Sequence, residues 1–108
     1  MRACEVYLHD IKVGVLTEED SGTYTFAYDP TYLSQKECRP VSLTLPLRRK
    51  PYRSPVLFPP FFNMLSEGEN RKLQSQLLHI DAADDFGILL ATARYDTIGA
   101  VTVKPIEP

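Results

Sequence analysis

Residues 4–28 read CEVYLHDIKVGVLTEEDSGTYTFAY. In Cys4 to Leu8 the apolar residues Cys4, Val6 and Leu8 alternate with Glu5 and Tyr7, the period of a half-buried strand. His9-Asp10 supplies a turn, and Lys12 to Thr17 reads as a second strand. Glu18 to Gly22 is a polar break ending in glycine. Thr23 to Tyr28 alternates again, with Tyr24, Phe26 and Tyr28 on one face. Three short strands joined by short turns predict an antiparallel meander.

Asp29-Pro30 signals a helix start: Asp is expected to cap free backbone N–H groups, and Pro fits the first turn. That helix is predicted to run one turn, through Leu33. Val41 to Leu45 reads as a short strand stopped by Pro46, and Arg48 to Pro55 as a basic, proline-containing loop. Phe58 to Leu65 is apolar and carries Pro59-Pro60, which predicts a short helix broken at Ser66-Glu67-Gly68. Glu69 to His79 reads as helix, with Leu73, Leu77 and Ile80 forming one stripe. Asp84 is placed to cap a last helix, with Phe86, Leu89, Leu90 and Ala93 on one face. Ile98 to Val103 reads as a final strand, and Pro105 to Pro108 as a frayed tail. The predicted class is α+β: a small, mainly antiparallel sheet with short helices packed on one face.

A chain of 108 residues fits a single domain spanning 1–108. Its 44% hydrophobic and 24% charged residues are ordinary for a globular protein. Twelve basic and fourteen acidic side chains give a net charge of -2, against a protein built mainly to grip phosphate backbones. Cys4 and Cys38 lie far apart and form no metal-type pair, and a disulfide between them is not expected. The N-terminal residues hold no apolar run of signal-peptide length, and no stretch approaches the roughly 20 apolar residues that span a bilayer. A cytoplasmic protein without membrane contact is expected.

Asp85-Phe86-Gly87 spells the metal-binding triplet of protein kinases, but the other kinase signatures do not accompany it. Its residues read better as a helix start with Phe86 in the core. Asp81, Asp84 and Asp85 lack calcium-loop spacing. His9 and His79 have no Cys or Ser placed with them as a nucleophile. No catalytic residue, metal site or cofactor is therefore expected. Arg48, Arg49, Lys50 and Arg53 form a basic cluster, read as a solvated loop or an acidic-partner surface ahead of a nucleic-acid contact. Phe58, Phe61, Phe62, Met64 and Leu65 are too apolar for all to face water. A short helix buries only one stripe, so core and partial interface both stay open for this group.

Arg39 to Leu47, RPVSLTLPL, resembles the "RPVSLSLPL" stretch of the N-terminal domain of HipA-type serine/threonine kinases. Phe58 to Arg71, FPPFFNMLSEGENR, is similar to that domain's "FPFFDNLLPEGENRR". Asp85 to Leu90, Asp96 to Val101 and the early Val13 to Leu16 match its "DDFDLL", "DSVGAV" and "VGxL" signatures. The likeness runs in the family's order over nearly the whole chain. Ser66 stands where the family usually has proline, which bears on the conformation of that loop.

The resemblance implies a stand-alone, HipS-like antitoxin of a three-gene toxin–antitoxin arrangement. It would dock on a separately encoded HipA-like kinase toxin, HipT, as the missing N-terminal domain and hold it inactive. A HipB-type helix-turn-helix protein is an implied third member. The implied kinase contacts are Phe61, Phe62, Met64, Leu65, Ser66, Glu67, Glu69 and Asn70. The alternatives are a non-inhibitory scaffold joining the kinase to the DNA-binding partner, and an excised N-terminal domain of a larger kinase. The starting Met and proline-rich end speak modestly against the last.

Overall fold

The hairpin expected at His9-Asp10 forms with both residues in the left-handed region, at φ 50° and 66°. His and Asp tolerate that region better than most residues, and two such residues in succession suit a tight turn between twisted strands. This is seen in a computed structural model, which describes residues 1–63, 65, 68–81, 83–92 and 101–106, by their backbone alone at 68–70, 74 and 92. The hairpin joins β1 (Arg2–Leu8) to β2 (Ile11–Glu18). β3 (Tyr24–Tyr28) pairs with β2, closing the predicted meander. Between β1 and β2 the register slips after Val6, leaving Val13 as an extra, buried residue opposite the Val6–Tyr7 step.

α1 (Pro30–Leu33) follows, β4 (Tyr52–Ser54) adds to β3, and α2 (Pro59–Phe62), α3 (Gly68–Leu78) and α4 (Asp85–Thr92) precede β5 (Val101–Ile106). The described strands form a five-stranded sheet in the order β4-β3-β2-β1-β5, with every pairing antiparallel. Cross-strand partners Cys4, Leu16 and Phe26 share one face with Val6 and Val103, and all five are buried. Phe61 of α2 and Phe86, Ile88 and Leu89 of α4 belong to the same core cluster. The class is α+β, as the period-2 runs predicted.

Four local expectations need correction. Val41 to Leu45 is not a strand: its backbone closes a turn at Ser42–Leu45 and otherwise bonds to the Tyr28 and Ser42 hydroxyls. Inside the basic loop, Tyr52–Ser54 is a strand, and Pro51 and Pro55 flank it at the sheet edge, where a missing donor is tolerated. Of the tail expected to fray, Pro105 and Ile106 pair with Cys4 and Ala3 on the opposite edge, and Glu107 and Pro108 lie outside the described residues. Asp29 occupies the first cap position of α1 by its backbone, but its side chain makes no cap hydrogen bond. Ile98 and Ala93 lie outside the described residues.

Candidate functional site

Pro59 and Pro60 set the first turn of α2, where their absent N–H groups are not missed. The amides of Phe61 and Phe62 both donate to the Phe58 carbonyl, and the Leu65 amide donates to the Phe62 carbonyl. This winding turns Phe61 inward, fully buried, with its ring 5.6 Å from Phe26 and 6.4 Å from Phe58. Leu65 is buried as well, while Phe62 points out and is 44% exposed. The aromatic group thus divides into core residues and one outward ring. Met64, Ser66 and Glu67 lie outside the described residues. Glu69 and Asn70 sit in the first turn of α3.

α3 departs furthest from its sequence pattern. The stripe expected to face the core faces solvent: Leu73 is 54% exposed and Leu77, one turn on, 70%. Leu78 is 42% exposed, and only Ile80, past the helix end, packs against the core. Polar groups hold the helix instead. Arg71 is ion-paired with Asp85 at the start of α4, and the Ser75 hydroxyl closes the helix's own C-terminal turn on the Ile80 carbonyl. Spacing revealed an apolar face; it carried no signal of which way that face turns.

The other constellations are consumed by structure. Asp84 caps α4 through the Gly87 amide at 3.1 Å and receives both ends of the Arg2 guanidinium, at 2.9 and 2.8 Å. Arg2 also pairs with Glu18 and lies 5.3 Å from the centre of the Phe86 ring. Asp81 accepts from the Ala83 amide, and Asp85 is taken by Arg71. Among the described residues no group of His, Cys, Asp and Glu could hold a metal ion. Both cysteines are free, and burial pushes the Cys4 thiol up to about 12. Arg48 folds back over Tyr52, 3.5 Å from its ring centre, and donates to the Lys50 and Pro51 carbonyls. The exposed Arg53 sits on the edge strand, where charge discourages stray strand pairing.

The hydrogen bond from Arg2 holds the Asp84 carboxyl below its usual 3.8. A depressed carboxyl contributes stability above that value and loses it as pH falls through the folded value. Asp84→Asn, which keeps the cap, is expected to be less stable than the parent at pH 7. The two stabilities are expected to converge as pH drops below about 4. Urea melts at pH 7 and pH 3 check this.

Tyr28 and Tyr32 do the work expected of the missing strand. The Tyr28 hydroxyl donates to the Leu45 carbonyl and accepts from the Val41 amide at 2.9 Å. The Tyr32 hydroxyl donates to the Arg39 carbonyl and accepts from its amide. Residues 39–45 are thereby strapped to β3 and α1, with Leu43 at the tip of the turn, 95% exposed.

A family model described as "HipA N-terminal domain" matches residues 4–104. The chain belongs to the HipA N-terminal domain family. That domain is the non-catalytic part of the HipA kinases. A solved "N-terminal domain of HipA toxin" superposes with a TM-score of 0.73 at 28% identity, covering 99% of this chain and 94% of that one. An uncharacterized protein of Haemophilus influenzae is 31% identical over 96% of this chain and 92% of its own length. "Putative kinase Y4mE" of Sinorhizobium fredii is 30% identical over 97% of this chain, which spans only 25% of that protein. A Shewanella oneidensis complex titled with HipA, HipB and operator DNA shares the fold, at a TM-score of 0.72 and 20% identity, over 24% of the matched chain. The HipA N-terminal domain thus matches both proteins of its own size and quarter-length portions of larger ones. Among the described residues, no helix is long and apolar enough to cross a membrane.

Proposed function

We propose that this chain is an antitoxin that binds and neutralises a HipA-like serine/threonine kinase of the HipT type, docking as its missing N-terminal domain. The carrying observation is Phe62: an outward aromatic on a helix pinned from behind by Phe61 and Leu65. Rigid aromatic side chains give large contact area at small entropic cost and are enriched at protein interfaces. The segment Phe61, Phe62, Met64, Leu65, Ser66, Glu67, Glu69 and Asn70 is the proposed contact. In it, Phe61 and Leu65 support the surface and Phe62 makes it. The match to a quarter of a kinase-named protein supports a kinase as the partner. Both partners would meet in the cytoplasm. The test titrates the chain into an autophosphorylation assay of a HipT-type kinase from the same genome. Activity is expected to fall to a floor near one equivalent; full activity at tenfold excess would sink the proposal.

A scaffold reading is favoured by one observation, the Shewanella structure whose title joins HipA with HipB and operator DNA. On that reading the chain would link the kinase to a HipB-type protein. Co-purification with both at an unchanged kinase rate would decide for it.

A further inference from the structure

From the outward leucines of α3 we infer that this helix is a docking ridge, seated in an apolar groove of the kinase body. The inference rests on the proposed kinase partnership and adds to it a second surface beyond Phe62. α3 is amphipathic in reverse. Its described polar residue Arg71 makes the ion pair to α4 and Ser75 closes the helix's own end on Ile80, while Leu73, Leu77 and Leu78 are 54%, 70% and 42% exposed. Apolar side chains one turn apart on an exposed helix are the anchors of helix-in-groove recognition. The described exposed polar neighbours on the helix, Lys72 and Gln76, suit the rim of such a contact.

The size of the ridge selects its occupant. Eleven residues make a helix about 16 Å long. Its exposed leucines offer on the order of 250 Å², well short of the ~800 Å² per partner of a stable interface. A second copy meeting this chain ridge to ridge would bury too little to persist. A larger body that also covers Phe62 would not have that limit. In the larger relatives this domain fills a quarter of the chain, so a body about three times its size is joined to it there. An apolar ridge also offers nothing to a phosphate backbone.

The experiment compares the full chain with Leu73→Ser/Leu77→Ser and Leu73→Lys/Leu77→Lys. The readouts are the Kd for a HipT-type kinase from the same genome, melting temperature and mass in solution. The expected result is a Kd raised at least roughly 30-fold by either variant, with melting unchanged and the parent monomeric when alone. Parent and variants binding alike would overturn the ridge and leave the kinase partnership standing. A parent that does not bind would overturn both. A parent dimer that the variants dissociate would assign the ridge to a second copy. Melting lowered by both variants would show that the leucines are packed within this chain, and would also overturn it.

Discussion

Phe61→Ala is expected to cost about 3–5 kcal/mol, whereas Phe62→Ala, one residue on, is expected to stay within about 0.5 kcal/mol of the parent. Phe61 is fully buried between Phe26 and Phe58, so truncation removes apolar burial and leaves a cavity bounded by a sheet and a proline-stiffened turn. Neither wall can easily collapse into it. Whole domains are stable by about 5–15 kcal/mol, so this one change removes a large share. Phe62 stands half out of the surface, and its loss opens no cavity. For the proposed kinase partner, Phe62→Ala is expected to raise Kd at least roughly 30-fold while folding normally. Urea melts and a binding titration on both variants check the pair. Similar stability losses at 61 and 62 would mean that the helix does not divide them between core and surface.

Gly14→Ala is the second large effect. A Cβ built at Gly14 would lie 2.4 Å from the Ala27 carbonyl oxygen and 3.0 Å from two carbons of the Phe26 ring. Both obstacles sit on β3, the neighbouring strand, and one is backbone. Relief requires prying β3 from β2 or tilting Phe26, which packs against Tyr28 and Phe61. The expected loss is about 3 kcal/mol, lowering the melting temperature by roughly 10–20 °C. Gly22 supplies the contrast. Nothing lies within 4 Å of its Cβ position, but its φ is +88°. Gly22→Ala meets only the left-handed penalty, about 1 kcal/mol. Thermal melts of the two variants separate crowding from backbone strain.

How well each element could be read from the sequence follows from where its bonding information lies. The hairpin at His9-Asp10, the start of α1 at Pro30 and the Asp84 cap depend on neighbours within a few residues, and all were legible. Val41, Leu43 and Leu45 alternate like a strand, but alternation says nothing about bonding partners. For Val41 and Leu45 the partner is the Tyr28 hydroxyl, contributed by β3 more than ten residues back. β4 was hidden because its three residues are short for a period and lie between prolines that normally mark loops. Pro105 misled for the same reason: edge position, which sequence does not state, is what permits it. In the candidate site, the spacing of Phe61, Phe62 and Leu65 left core and interface open together. Only the winding after Phe58 decides which ring goes in. For α3 the apolar period was real, but the ion pair of Arg71 with Asp85 of α4, which holds the opposite side of the helix, joins residues 14 apart and leaves no mark in the spacing.

The pairing of β1 with β5 has a consequence for synthesis on the ribosome. Ala3 is paired across the sheet with Ile106, so β1 acquires its second neighbour only when β5, roughly a hundred residues later, emerges. At about 5–20 residues per second, β1 waits for several seconds with one edge bare after the hairpin has formed. Contacts this distant in sequence are also the slowest to close. The nascent meander therefore passes through a window in which chaperone capture or misplaced strand pairing competes with folding, and residues 101–106 end it.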